Sequence, residues 1–265
     1  MLSNQEIKKI SDLIENGTFE TIQMNISKLW EVYTLEKDLI LCVCNNQPFM
    51  GEILLVYDKE LNLIKRFDTI AINYSHFNPN IIAMNNQKHF YMSINDNIVI
   101  TNLEFRVEKL FKEHEFRSFK KGCIGSGYIF GNEIRKVRIY TLDLTLVHTM
   151  EFSFIVKKIE ASDSALCING GKQTWFYSLA EGFKLIYKYE HSAPSCINVI
   201  SNNFYEISTI DQRIWCYDHN GKFINEIELD SLNKQIPISF ELCMFYLDQK
   251  VFMYVPGTNS LLKFE

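Results

Sequence analysis

From about residue 18 onward, apolar and polar positions alternate in short runs, and each run is closed by a polar turn. Alternation at a period of two, with β-branched and aromatic residues at the apolar positions, predicts β-strands. The clearest set is Cys196–Ile200, Phe204–Ile207, Arg213–Tyr217 and Lys222–Ile227. The last two are joined by Asp218-His219-Asn220-Gly221, whose Asn and Gly tolerate positive φ. A second set reads Leu29–Tyr33, Leu39–Cys44, Glu52–Tyr57 and Leu61–Phe67.

The runs themselves repeat. Thr101–Phe111 and Tyr140–Met150 align with Tyr57–Phe67 without a gap, as does Tyr217–Ile227, while Tyr177–Tyr189 needs a short insertion. A sixth copy opens at Phe264. The anchors Tyr57, Thr101, Tyr140, Tyr177, Tyr217 and Phe264 are 44, 39, 37, 40 and 47 residues apart. Such a period, with several short strands per unit, is that of a β-propeller blade. The expected fold is all-β: a six-bladed β-propeller over residues 17–265, with blades at about 28–67, 80–111, 116–152, 154–189, 195–228 and 238–265.

The sixth unit offers only three strands, Ser239–Phe245, Lys250–Val255 and Ser260–Phe264, which leaves an open edge. Thr18–Met24 alternates and has no other partner in the scheme. It is expected to pair beside Ser260–Phe264 and close the ring. Ahead of it, Ser3 and Glu6 form a capping box, and Ile7, Ile10, Leu13 and Ile14 follow at helical spacing. Asn16-Gly17 supplies the stop. This amphipathic helix, residues 1–16, is too short to be stable alone in water. Either it packs on the ring or it is the end of a coiled coil.

Phe204-Tyr205-Glu206-Ile207-Ser208-Thr209-Ile210-Asp211-Gln212-Arg213-Ile214-Trp215-Cys216-Tyr217-Asp218-His219-Asn220-Gly221-Lys222-Phe223 resembles an NHL repeat. In that family an apolar strand leads to a polar turn and Arg-Ile, then to an aromatic and Asp, then to Gly-Lys and a further strand. Leu54–Phe67 is a looser match. The resemblance implies a six-bladed propeller used for binding, like the C-terminal domains of tripartite-motif proteins. The helix would sit where those proteins carry their coiled coil. This sequence has no RING or B-box cysteine/histidine pattern, so ubiquitin-ligase activity does not follow.

Composition narrows the chemistry. No apolar run is long enough to span a bilayer, and the start lacks the basic-then-apolar pattern of a secretory signal. Most of the seven cysteines fall in apolar strands, at Cys42, Cys44, Cys167, Cys196, Cys216 and Cys243, and are expected to be buried free thiols. Together these place the chain in the cytoplasm, away from membranes. Gly122-Cys123-Ile124-Gly125-Ser126-Gly127 fails the spacing of a nucleophile elbow and of a phosphate loop. The histidines, His76, His89, His114, His148, His191 and His219, show no ligand-like spacing, and surface or loop positions are expected for them. Trp30, Trp175 and Trp215 are expected to pack between blades.

The net charge of −5 is unevenly spread: Arg106–Arg138 holds nine basic and four acidic residues, so the rest of the chain carries −10. In a propeller, second-to-third turns share a face with the connections between blades. On that face the strand map places Lys112, His114 and Arg117 before blade three, Arg135 and Lys136 at its turn, and Lys172 with Gln173 at the turn of blade four. Guanidinium and ammonium groups so grouped suit carboxylate or phosphate. The expected function is therefore a non-catalytic module, without cofactor or metal, that binds an acidic protein segment there. One alternative is single-stranded RNA on the same face, with Phe111, Phe116, Phe119 or Tyr128 stacking bases. Another is a calcium-dependent hydrolase using Glu31, Asn80, Asn198 and Glu241 in the tunnel.

Overall fold

The computed structural model describes residues 4–16, 19–23, 29–34, 40–45, 52–68, 80–85, 89–94, 97–102, 107–112, 121–208, 210–229, 243–248, 250–255 and 260–265. These residues form one helix, Asn4–Asn16, and six four-stranded antiparallel sheets. Blade one is Leu29–Thr34, Ile40–Asn45, Glu52–Tyr57 and Leu63–Asp68, and blade two is Asn80–Asn85, His89–Ile94, Asn97–Asn102 and Val107–Lys112. Blade three is Lys121–Gly125, Tyr128–Asn132, Lys136–Thr141 and Leu146–Glu151, and blade four is Lys158–Ala161, Ala165–Asn169, Gln173–Ser178 and Lys184–Glu190. Blade five is Cys196–Ile200, Asn203–Ser208, Arg213–Tyr217 and Phe223–Glu228. Blade six is Cys243–Leu247, Lys250–Val255 and Ser260–Phe264, and its outer strand is Phe19–Gln23. The first strands pack side by side in the order two, three, four, five, six, one, so blade six meets blade one.

The closure expected from the sequence is present. Phe19–Gln23 pairs antiparallel with Ser260–Phe264, from Phe19 opposite Phe264 to Gln23 opposite Ser260. Lys263 Nζ adds an ion pair to Glu20 at 3.1 Å. The helix packs on the ring. Ile7, Ile10 and Ile14 are at most 3% exposed and share one cluster with Tyr205, Ile207 and Ile214 of blade five and Met244, Val251 and Met253 of blade six. The apolar stripe that would seam a coiled coil is thus covered by the chain's own blades. The capping residue Ser3 lies outside the described residues.

The repeat has a local cause. In blades one to five the ladder between the third and fourth strands shifts register at the anchor: Tyr57, Thr101, Tyr140, Tyr177 and Tyr217. The next residue caps the hairpin turn through its side chain: Asp58 Oδ1 accepts Asn62 N at 2.8 Å and Asp218 Oδ1 accepts Lys222 N at 2.9 Å. Thr141 Oγ1 accepts Thr145 N at 3.1 Å in the same way. The turn then needs a residue at positive φ, which is Leu61, Leu144, Phe183 or Gly221. Of these four only Gly221 meets this demand without strain, and a methyl group there would sit 2.3 Å from Phe176. The anchor of blade six carries no such shift, because its partner strand arrives from the N-terminus rather than through a hairpin.

One strand boundary differs from expectation. Blade four starts at Lys158, not Phe154: Phe152 and Val156 donate their amides to Arg135 O and Ile134 O at 2.9 Å, tying this stretch to the blade-three turn instead of to a ladder. The expected start of blade six at Ser239 lies outside the described residues, which resume at Cys243. Among the thiols, Cys167 and Cys216 are buried as expected, whereas Cys123, Cys196 and Cys243 are partly exposed.

Candidate functional site: a basic and apolar loop face above a buried carboxyl hub

Antiparallel strands put the second-to-third turns and the blade-to-blade connections at one end of the ring. Backbone bonds bear this out: the blade-three turn is fastened to residues 152–156, and Leu229 N reaches Gln212 O at 2.8 Å. On this face the blade-four turn is Gly170-Gly171-Lys172. Gly170 N donates to Gln173 O at 2.7 Å, and Asn169 Oδ1 accepts Gly171 N at 3.0 Å. Gly171 sits at φ +91°, where a side chain would be strained. The turn is then held from blade five's side: His191 N donates to Lys172 O and Ser195 N to Gly171 O, both at 2.9 Å.

Three of the expected site residues can be placed by their side chains. Arg135 and Lys172 are exposed and have no ion pair among the described residues. Lys136 pairs across the strand with Glu151 at 2.7 Å, so its charge is matched. Lys112 ends the outer strand of blade two on this face, and its side chain is not described. His114 and Arg117 lie outside the described residues. Sequence reasoning overlooked Lys157. Its Cγ would lie 3.9 Å from a methyl group on Gly171, so it stands beside Lys172. It was overlooked because residues 154–157 read as strand rather than connection. Among the described residues, the carboxylates near this cluster are already engaged. Glu133 pairs with Arg138 at 2.8 Å, Glu151 with Lys136 at 2.7 Å and Glu190 with Lys188 at 2.8 Å.

Beneath the turn lies a polar hub that the sequence did not reveal. Glu206 is fully buried within a strand buried along its whole length. Its Oε1 accepts from Thr174 Oγ1, Ser195 Oγ and Asn169 Nδ2, the last at 3.0 Å. Its Oε2 accepts Tyr217 Oη at 2.8 Å and His191 Nε2 at 3.0 Å. His191, expected at the surface, is partly buried, with its side chain 8% exposed, and stacks on Trp215 at 4.1 Å between ring centres. Burial, then the Glu206 charge, pushes the Tyr217 phenol far above its usual range, so it remains a donor. Serine, histidine and a carboxyl group meet here, yet the serine addresses the carboxyl group rather than the imidazole. That geometry ties down a loop and does not activate a nucleophile.

The chain folds as a β-propeller. The β-propeller domain of Cps50 (Swd1) from Myceliophteria thermophila superposes with a TM-score of 0.59 at 8% identity, over 94% of this chain and 98% of that one. AztD from Citrobacter koseri gives a TM-score of 0.48 at 11% identity, over 73% of this chain and 57% of AztD. No protein-family model matches the sequence, and no curated protein matches it.

The residues weighed for the alternatives fall as follows. Tyr128 begins the second strand of blade three, at the end of the ring opposite Arg135, and packs on Phe183 with ring centres 5.4 Å apart. It cannot stack a base between those cations. The side chain of Phe111 is not described, and Phe116 and Phe119 lie outside the described residues. Of the hydrolase candidates, Asn198 Oδ1 accepts Lys158 Nζ at 3.2 Å. Burial is the largest influence and disfavours the Lys158 charge, but Glu160 at 2.9 Å together with Cys196 and Cys243 more than offsets it and raises the pKa, so a cation already occupies that oxygen. Glu31 and Asn80 lie on first strands with undescribed side chains, and Glu241 is outside the described residues. No group of three or more His, Cys, Asp or Glu among the described residues is arranged to hold a metal.

Proposed function

We propose that this chain is a non-catalytic interaction module that holds an acidic segment of a protein partner on the loop face of blades three and four. One observation carries the reading: Arg135, Lys157 and Lys172 are exposed around one connection, while Glu133, Glu151 and Glu190 are each paired with another cation. Uncompensated cations on turns fixed by backbone bonds attract carboxylates, and little affinity is lost to ordering the site. The reading includes Lys112, His114 and Arg117, which the strand map assigns to the same face toward blade two, with Lys136 at its margin. The blade-five motif supports an NHL-type repeat. The free thiols of Cys167 and Cys216 suit a reducing cytoplasm.

The test uses fluorescence anisotropy with a labelled poly-glutamate peptide and a labelled oligouridine of similar length. The peptide should bind, and the triple reversal Arg135→Glu, Lys157→Glu, Lys172→Glu should abolish binding with little change in melting, because exposed charges contribute at most about 1 kcal/mol each to folding. Reversing Lys59 and Lys222 on the opposite face should leave binding intact. Oligouridine binding that the same reversal removes, with no peptide binding, would replace the protein partner with RNA.

A further inference from the structure

Acidity alone does not describe what this face is shaped to hold. Among the described residues, most exposed large apolar side chains open the outermost strands: Leu63, Ile64, Leu146, Val147, Leu185, Ile186 and Phe223. There they follow from the repeat. Ile210 on the blade-five turn breaks that rule, and so do Ile134 and Ile155. The last two are 53% and 45% exposed, sit on the loop face, and are joined because Val156 N donates to Ile134 O at 2.9 Å. Neither is a consequence of strand alternation.

The two isoleucines lie inside the cation cluster. Ile134 precedes Arg135 on the blade-three turn, and Ile155 lies two residues before Lys157 on the connection. Val156 between them is 4% exposed, whereas Ile155 and Lys157 are both exposed. The connection is rigidly seated. The Phe154 ring fills the space over Gly170, where a methyl group would sit 2.3 Å from Cδ2. Its edge meets Trp175 with ring centres 5.0 Å apart, and Phe152 closes the cluster at 5.2 Å from Phe154.

We infer that this face selects an extended partner segment in which a branched apolar residue lies between carboxylates, one of them two residues away. This rests on the loop-face reading above. The apolar side chain covers Ile134 and Ile155, while the carboxylates meet Arg135, Lys157 and Lys172. A purely acidic segment would satisfy the cations and leave both isoleucines in water. An apolar one would leave three cations facing no counter-charge.

The probe is the labelled peptide Glu-Asp-Glu-Leu-Ser-Glu-Asp, capped at both ends, against the same peptide with serine in place of leucine. The leucine peptide should bind about tenfold tighter, the scale expected for burying one aliphatic side chain against two half-exposed ones. In the Ile134→Ser, Ile155→Ser variant that preference should vanish while the serine peptide binds as before. Both substitutions are at exposed positions, and circular dichroism with melting confirms the fold. Equal binding of the two peptides to the native chain, abolished by charge reversal, would overturn this inference and leave the acidic reading standing. Failure of both peptides to bind would overturn both.

Discussion

Removing Glu206 is the sharpest test of how the loop face is built. The carboxyl group accepts from five side chains, so its loss orphans donors in a region closed to water. Ser195 can turn to the Gly171 carbonyl, 2.9 Å away, and Asn169 keeps Thr174 Oγ1 at 3.0 Å. The donors left without an acceptor are Tyr217, His191 and Thr174. At about 1–3 kcal/mol for each buried orphan, and less the desolvation that the carboxylate itself no longer suffers, Glu206→Leu should cost about 3–5 kcal/mol. Glu206→Gln keeps one acceptor oxygen and should cost about 2 kcal/mol. Urea unfolding measures both. With a slope of about 3 kcal/mol/M, the leucine variant should lower the midpoint by about 1 M or more. Hydrogen exchange at residues 169–173 should quicken in both variants. A leucine variant within about 1 kcal/mol of the native chain, or a glutamine variant as damaged as leucine, would refute the hub.

Three further outcomes follow from the packing. Ile10→Ala in the helix should cost about 3 kcal/mol, as a fully buried aliphatic does, and deletion of residues 1–15 should lower the melting temperature even though the closing strand is kept. Gly221→Ala should cost about 2–4 kcal/mol by urea unfolding, because strain at positive φ adds to overpacking against Phe176. Hydrogen bonds from Lys250 and Lys263 hold the Glu265 carboxyl down to about 2 from its ordinary 4.5. Its contribution is therefore complete above about 4.5 and lost as pH falls through about 2. Carboxyl-carbon NMR should show that titration, and Lys263→Ala should return it toward the ordinary value.

Much of the ring was legible because the repeat is written in the chain's own turns. In blades one, three and five the anchor is followed by a residue that caps the hairpin, and the missing fourth strand of the last unit pointed to Thr18–Met24. The helix was legible as an amphipathic stretch, but not its seat, since Ile7, Ile10 and Ile14 would face either a ring or a partner helix with the same pattern. The hub was hidden for a different reason. Both sides of Asn203–Ser208 are buried, so Glu206 occupies an inward position that alternation cannot mark, and its partners come from residues 169–217 on two blades. A carboxylate within an otherwise apolar run was the one available signal. Lys157 and Ile155 were obscured because an alternating connection looks like a strand until its amides are seen to bond a turn.

The central claim is that recognition occurs on the face bearing Arg135, Lys157 and Lys172. Hydrogen–deuterium exchange with and without the leucine-containing acidic peptide tests it directly. Protection should concentrate in residues 133–136, 153–157 and 170–173, while the opposite turns at 58–62, 141–145 and 218–222 exchange unchanged. Protection confined to those opposite turns, or to the first strands that line the ring's centre, would contradict it.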